Sequence, residues 1–323
     1  MSIRSFARLT ALALALTAGL ATTGAAAQST KPNAEVFFPS MDGVTQIRGY
    51  IWRPTTGAGP FPAVVMMHGC AGAFSKTSGG QPLSATTIEA NRTNYINSQF
   101  RDWGVWLRDR GYVAILVDSF GPRGETLGVC DIPWEDRTGT ALDEVRRRPL
   151  DAFGGLKYLR DNAATLKVDT SRVGLVGWSN GASAILSTIA ETGPGVWHAN
   201  GVAAVPGLRD GFKVAAVYYP GCGLAGQYTG TYRPTVPLQM FVGMRDTTTP
   251  PAPCFTLQAT AAQLAAAANE PTGFDLKAYA DAGHSFDQTS NSGWSAAQTA
   301  LNNAARDDAR ILVEALFGQA LTP

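Results

Sequence analysis

The pentapeptide Gly177-Trp-Ser-Asn-Gly181 carries a serine between two glycines. Residues 173–176 before it form an apolar run that predicts a buried strand, and residues 182–190 after it predict a buried helix. A serine on a sharp strand-to-helix turn has its hydroxyl lifted clear of the sheet, and the flanking glycines permit the close backbone approach that this turn requires. The pattern predicts Ser179 as a nucleophile. A serine that only fills a tight turn is the alternative.

A serine hydroxyl needs a general base, and three histidines are available: His68, His198 and His284. In strand–turn–helix serine sites the histidine comes last, in a loop after the final strand. His284 has this position, whereas His68 precedes the serine and His198 lies in a loop before the late strands. We therefore expect His284 to be the base, with a surface loop histidine as the alternative.

The base needs a carboxylate to orient it, and Asp246 is the best placed. It follows the apolar run 238–242, where its side chain can meet an imidazole at the carboxyl edge of a sheet. Asp281 is too close to His284 in sequence for this geometry, and Asp275 lies inside a predicted strand. Asp246 is the predicted acid, and an aspartate that caps a turn is the alternative.

Two backbone N–H groups are required for the oxyanion that forms when a serine attacks a carbonyl. One is predicted to be the N–H of Asn180, directly after the nucleophile. The other is expected from His68-Gly-Cys-Ala-Gly72, with the Cys70 N–H as first choice and that of Ala71 as second. His68 is then expected to stabilise the loop rather than take part in the reaction.

The elements that must position these residues alternate between strand and helix. Short apolar runs without alternation, at residues 63–67, 113–117, 173–176, 214–218 and 238–242, predict strands that are covered on both faces. Residues 35–38 and 45–52 predict an antiparallel hairpin at the sheet edge, and residues 274–279 a last strand nearer the other edge. Helical stripes lie between them, and the last one is expected to end at Gly318. The pattern predicts an α/β fold with a mostly parallel, doubly wound sheet of about eight strands.

The first 27 residues have two arginines, an apolar stretch too short to span a bilayer and small residues at Ala25 and Ala27. They predict a signal peptide, followed by one domain over residues 28–323 and a secreted or periplasmic location. Removal of Arg4 and Arg8 leaves 24 basic against 25 acidic side chains. This balance argues against nucleic acid as a partner, and no later segment predicts membrane association.

The chain has four cysteines, Cys70, Cys130, Cys222 and Cys254. In an oxidising compartment they predict two disulfides, with three possible pairings. Their spacing fits no zinc site, and we expect neither a metal nor a cofactor.

Several motifs together resemble those of the dienelactone hydrolase family, in its secreted bacterial branch. They are His68-Gly-Cys-Ala-Gly72, Asp118-Ser-Phe-Gly-Pro-Arg-Gly124, the Ser179 pentapeptide, Tyr219-Pro-Gly-Cys222, Asp246 and Gly283-His-Ser-Phe286. The resemblance implies an α/β-hydrolase fold, and an ester or lactone hydrolysed through an acyl-enzyme by Ser179, Asp246 and His284. It also implies neighbouring strands that favour the pairs Cys70 with Cys130 and Cys222 with Cys254.

Position 179 departs from the family's namesake, whose nucleophile is cysteine. A general carboxylesterase is therefore expected rather than an enzyme for the dienelactone itself, acting on a small-molecule or polymeric ester. Ala71, Arg123 and Trp178 are candidates for the substrate pocket, with packing beneath the pocket as the alternative role of Trp178; Arg245 is a further candidate. The long loops at residues 70–99 and 120–145 are expected to shape the pocket, and residues 193–211 to cover it partly. A peptidase of the same fold and a non-catalytic binding protein are the alternative functions.

Overall fold

The computed structural model describes residues 29–191, 202–223, 231–289 and 293–322. Within them, eight strands form one sheet in the order β1-β2-β6-β3-β7-β8-β9-β10, and two short strands form a separate hairpin. The strands are β1 Ala34–Pro39, β2 Gln46–Trp52, β3 Phe61–Met67, β4 Thr77–Ser78, β5 Gln81–Pro82, β6 Val113–Asp118, β7 Val168–Trp178, β8 Phe212–Tyr218, β9 Leu238–Gly243 and β10 Phe274–Tyr279. Strands β1 and β2 are antiparallel, and β6, β3, β7, β8, β9 and β10 run parallel. The predicted α/β fold with a mostly parallel sheet is confirmed.

Helices cover both faces of this sheet. They are α1 Ala85–Ala90, α2 Arg92–Tyr95, α3 Ser98–Asp109, α4 Trp134–Arg137, α5 Arg148–Asp161, α6 Ala163–Leu166, α7 Asn180–Thr188, α8 Ala252–Ala268 and α9 Ala296–Leu321. Apolar side chains of α5, α7 and α8 pack in one core layer, and those of α3 and α9 pack in the other. The side chains of β3 and β6 are divided between the two layers, which explains why these strands are apolar at every position.

Two local expectations differ from the structure. Helix α9 continues through Gly318 to Leu321, because Phe317 and Leu321 are buried and keep the last turn packed against the sheet. The segment 70–99 was predicted as a long loop, but it contains the β4–β5 hairpin and helices α1 and α2. Tertiary packing therefore outweighs the local glycine signal at Gly318, whereas Gly79 and Gly80 form the turn of the β4–β5 hairpin.

None of the helices in the described part of the chain is long and apolar enough to cross a bilayer. The predicted signal peptide lies outside the described residues.

An ionic cluster fixes the segment after β3 to the sheet. Glu89 of α1 contacts Arg48 of β2 and accepts a hydrogen bond from Thr126, and Arg48 also lies 3.1 Å from buried Asp118. Burial alone would raise the pKa of Glu89, but the hydrogen bonds from Arg48 and Thr126 outweigh burial and lower the pKa to about 2. The carboxylate is thus bound as an anion.

This depressed pKa predicts a loss of stability in acid. Because the folded pKa lies below the ordinary value of 4.5, the stabilisation is complete above that value and is lost as the pH falls towards 2. We expect the urea midpoint to fall between about pH 5 and about pH 2.5. The urea midpoint of a Glu89→Gln variant should fall less over this pH range than that of the wild type. An equal fall in the two proteins would contradict the assignment to Glu89.

Candidate active site

Ser179 lies on the turn between β7 and α7. Its backbone has φ 50° and ψ −119°, a conformation that L-residues rarely adopt, and only 9% of the residue is exposed. A Cβ at Gly181 would collide with the carbonyl oxygens of Met67 and His68, so this position accepts only glycine while α7 lies this close to the end of β3. The two central parallel strands therefore bring the serine against the loop that follows β3.

The structure brings His284 and Asp246 to this serine. His284 Nε2 lies 3.1 Å from Ser179 Oγ, and His284 Nδ1 lies 2.8 Å from Asp246 Oδ2. Because a carboxylate can only accept, Nδ1 carries the proton and Nε2 is free to accept the proton of the serine hydroxyl. The three side chains thus form one hydrogen-bonded chain in the order that a nucleophile, a base and an orienting acid require.

Asp246 is held as an anion by its own turn. Its Oδ1 accepts hydrogen bonds from the backbone N–H groups of Thr248 and Thr249, and its Oδ2 accepts one from the Thr249 hydroxyl. Burial would raise the pKa of Asp246, but the hydrogen bonds and the charge interaction with His284 outweigh it and lower the pKa. Asp281, the alternative acid, instead forms an exposed ion pair with Arg245.

A buried polar cluster behind the imidazole was missed by the sequence analysis. The Tyr219 ring packs against His284 with centroids 4.6 Å apart, and its hydroxyl donates to Asp287. Asp287 also accepts hydrogen bonds from Gln99 Nε2 and Trp103 Nε1. Tyr219 directly follows β8, so its place at the carboxyl edge of a strand was the available signal. The cluster fixes one face of the base.

The loop after β3 lies beside the nucleophile, where an oxyanion site is expected. A Cβ at Gly69 would stand 3.4 Å from the Ser179 Cβ, and Cys70 and Ala71 follow directly, with Ala71 exposed. Asn180 begins α7, so its backbone N–H belongs to the first turn, where N–H groups lack intrahelical partners. These positions keep the Cys70, Ala71 and Asn180 N–H groups as candidate donors.

His68 ties the same loop to β6. Its Nε2 accepts a hydrogen bond from the Ser119 N–H, and its Nδ1 lies 2.8 Å from the Gly69 carbonyl oxygen. Burial and the charge of Arg148 hold the pKa of His68 well below its usual value. This neutral, fully buried ring has the loop-stabilising role that was expected for it. His198, the third histidine, lies outside the described residues.

Two disulfides join Cys70 to Cys130 and Cys222 to Cys254, which is the pairing that the family resemblance implied. The Cys70 bridge connects the loop beside Ser179 to the long segment after β6. The Val129 N–H also donates to the Cys70 carbonyl oxygen over 2.7 Å. The bridge therefore fixes the backbone from which one oxyanion donor is expected.

Replacing both Cys70 and Cys130 by serine is expected to lower stability and activity together. Loop entropy for a separation of 60 residues gives about 4 kcal/mol of lost stability, and a displaced Cys70 N–H is expected to lower kcat about 10-fold. The matched control is the Cys222→Ser/Cys254→Ser variant, with a separation of 32 residues. It should lose a similar stability and retain more of kcat. Equal losses of kcat in folded samples of both variants would contradict a specific role of the first bridge.

Arg123 does not reach the site as a substrate ligand, so this prediction is wrong. Its guanidinium is buried and bound to Asp42 and Asp151, and one nitrogen also donates to the Ser119 carbonyl oxygen. Arg245 is largely exposed, in its ion pair with Asp281.

Trp178 has the packing role. It is 1% exposed, and its ring contacts Phe100, Trp103 and Tyr218 in the core. Its prediction as a substrate-pocket residue is therefore wrong, because the indole points into the core layer covered by α3.

No group of three or more His, Cys, Asp or Glu side chains within the described ranges could hold a metal ion. The arrangement that the structure does contain is a serine on a strained strand-to-helix turn, a histidine after the last strand and a carboxylate after the strand before it. With the eight-stranded sheet, it defines an α/β-hydrolase.

The model of the dienelactone hydrolase family matches residues 93–321, and the protein belongs to this family. Membership makes it a carboxylic ester hydrolase. No curated protein gave a match.

Solved structures share the fold at low sequence identity. A thermophilic esterase of Thermogutta terrifontis with propionate bound is 19% identical, with a TM-score of 0.54 over 92% of this chain and 98% of that one. A dienelactone hydrolase-like promiscuous phosphotriesterase from metagenomic libraries is 16% identical, with a TM-score of 0.55 over 90% and 99%. Esterase 2 of Thermogutta terrifontis phosphorylated by paraoxon is 19% identical, with a TM-score of 0.52 over 88% and 95%.

Proposed function

We propose that the protein hydrolyses small carboxylic esters or lactones through an acyl-enzyme on Ser179. The observation that carries this proposal is the continuous hydrogen-bonded chain from Ser179 Oγ to His284 and from His284 to Asp246, at 3.1 and 2.8 Å. Both distances lie within the range for proton transfer between a nucleophile and its base.

In the first half of the reaction, Ser179 Oγ attacks the ester carbonyl carbon while His284 Nε2 takes the hydroxyl proton. Asp246 stabilises the imidazolium that forms, and the carbonyl oxygen becomes an oxyanion facing the N–H groups of Asn180 and Cys70. The tetrahedral intermediate collapses, the bond to the leaving oxygen breaks, and His284 gives its proton to the departing alcohol. Ser179 is then esterified by the acyl group.

In the second half, water replaces the alcohol. His284 takes a proton from the water, whose oxygen attacks the acyl carbon, and the same N–H groups bind the new oxyanion. The bond to Ser179 Oγ breaks, the proton returns to the serine, and the carboxylic acid leaves. The sum is one ester and one water converted to one acid and one alcohol.

A small ester is the proposed substrate class, and two observations support it. Ser179 is only 9% exposed, so a reacting carbonyl must enter between the loops around it. The Thermogutta terrifontis esterase was solved with propionate, a short carboxylic acid, bound to it.

The two disulfides are compatible with a secreted or periplasmic enzyme that loses residues 1–27 and folds as one domain over residues 28–323.

The test is a comparison of p-nitrophenyl acetate and butyrate with a peptide p-nitroanilide. Hydrolysis of the esters with burst release of p-nitrophenol is expected, because p-nitrophenolate is a good leaving group and the acyl-enzyme then forms faster than water hydrolyses it. Cleavage of the anilide should be undetectable beside it. Preferred cleavage of the peptide would favour a peptidase, and no turnover of any ester would contradict the proposal.

A further inference from the structure

Arg148 is a buried cation beside the residue that follows the nucleophile. It is the first residue of α5, it is 0% exposed, and its Nη1 donates to the side-chain oxygen of Asn180. The Cζ atom of its guanidinium lies 4.7 Å from the centroid of the Phe120 ring, and its Nη2 lies 3.5 Å from His68 Nδ1. In place of the carboxylates that usually bind an arginine, Arg148 therefore has an amide oxygen and a benzene ring, and the imidazole nitrogen close to it carries a proton, because His68 Nε2 accepts from the Ser119 N–H.

No ion pair among the described residues includes Arg148, although carboxylates lie nearby. Each of them is bound to another arginine. Asp151 pairs with Arg123 at 2.8 Å, Glu144 with Arg137 at 2.7 Å, and Asp118 with Arg48 at 3.1 Å. Burial lowers the pKa of Arg148 to about 10, so the group keeps its charge at neutral pH. Arg148 is thus an incompletely compensated positive charge in the interior of the described structure.

This arrangement is unfavourable for folding on three counts. Burial removes the guanidinium from water, no carboxylate within ion-pair distance compensates for it, and the positive end of the α5 dipole repels it. The Arg148 Nε and the Asn180 Nδ2 are also buried without hydrogen-bond partners in the described residues. Several destabilising features at one place, such as an unpaired buried cation and unpartnered polar atoms, are expected at functional sites, where activity is retained at some cost in stability.

We propose that Arg148 is a positioning residue that acts through Asn180 and favours negative charge at the oxyanion site. Its hydrogen bond fixes the Asn180 side chain, and with it the first turn of α7 whose N–H faces the substrate oxygen. Its charge, in surroundings that screen it poorly, adds to the potential at the same N–H. This inference rests on the proposed function, because it assigns a role within the oxyanion site of Ser179.

The experiment compares Arg148→Met, Arg148→Lys and Asn180→Asp. Arg148→Met removes the charge, and Asn180→Asp neutralises it with a carboxylate of nearly the same shape. Both should lower kcat for p-nitrophenyl acetate by about 10- to 100-fold with KM changed less than about 3-fold, because the charge acts when the oxyanion forms. Arg148→Lys keeps the charge and should recover most of kcat.

Arg108→Met is the matched control. Arg108 is also buried, and it donates hydrogen bonds to Asp109 and to the Ser29 carbonyl oxygen. It lies near the end of α3, just before β6 begins, and therefore at the amino ends of the parallel strands, whereas Ser179 lies at their carboxyl ends. Its loss should lower stability and leave kcat unchanged. Thermal unfolding of each variant identifies any that fails to fold, and Asn180→Asp keeps the test valid if Arg148→Met does not fold.

The rate of Ser179 labelling by a fluorophosphonate separates this inference from the proposed function, since labelling needs no turnover. Slower labelling in Arg148→Met and Asn180→Asp, with recovery in Arg148→Lys, supports the role of Arg148 even if no ester is turned over. Wild-type labelling rates and kcat in folded Arg148→Met or Asn180→Asp would overturn it. So would an Arg148→Lys variant as slow as Arg148→Met.

Discussion

Replacing Ser179 by alanine is expected to lower kcat/KM for p-nitrophenyl acetate by about 10⁵-fold. The hydroxyl is the only group of the protein that forms a covalent bond to the substrate in the proposed reaction. In this variant His284 has no serine hydroxyl from which to take a proton. The only remaining nucleophile is water, which His284 would activate in an unsuitable position. Residual activity is expected from the oxyanion site alone.

Ser119→Ala is the control for this prediction. Ser119 is also a buried serine at the end of a central strand, and its Oγ has no hydrogen-bond partner within the described residues. The kcat/KM of Ser119→Ala should stay within about 3-fold of the wild-type value, because this substitution breaks no side-chain hydrogen bond among the described residues. Both variants should unfold within a few degrees of the wild type. A folded Ser179→Ala enzyme that retains a tenth of the activity would contradict the nucleophile assignment.

Replacing Asp246 by asparagine is expected to lower kcat by about 10³- to 10⁴-fold with a small change in KM. The introduced side-chain amide would present a donor to His284 Nδ1, which would then accept, so that the proton moves to Nε2. In that tautomer the imidazole cannot take the proton of Ser179. The turn should survive, because the remaining side-chain oxygen can still accept from the Thr248 and Thr249 N–H groups.

Asp281→Asn tests whether another carboxylate close to His284 in sequence contributes to orienting the imidazole. Asp281 is three positions from His284, but it forms an exposed ion pair with Arg245, and exposed pairs contribute little. We expect its kcat to remain within about 3-fold of wild type. The opposite ranking, with Asp281→Asn inactive and Asp246→Asn active, would transfer the orienting role to Asp281.

The order of residues along the chain was enough to predict that Ser179, Asp246 and His284 lie together. Parallel strands present their carboxyl ends at one edge, so a serine, an aspartate and a histidine that each follow a strand are brought to that edge. The apolar runs of β3, β6 and β7 likewise predicted a sheet covered on both faces, and the resemblance of the motifs implied the disulfide pairing. These features are predictable because each follows from a short sequence pattern, and the parallel sheet places every such pattern in the same way.

The contacts of individual polar side chains could not be predicted in the same way. Arg123 was a candidate for the substrate pocket, but Asp42 and Asp151, distant in sequence, bind it in the interior. The cluster of Tyr219 and Asp287 joins positions 68 residues apart, and the Gln99 contact with Asp287 spans 188. Nothing in a local pattern specifies such partners.

The most direct test of Ser179 as the nucleophile is covalent labelling by a fluorophosphonate followed by peptide mapping in a mass spectrometer. Ser179 Oγ should form a bond to phosphorus while the bond to fluorine breaks, with the serine proton taken by His284. We expect one adduct per chain, on the peptide that contains Ser179, slower labelling in Asp246→Asn and none in Ser179→Ala. An adduct on another residue, or undiminished labelling of Ser179→Ala, would contradict the assignment of Ser179 as the nucleophile.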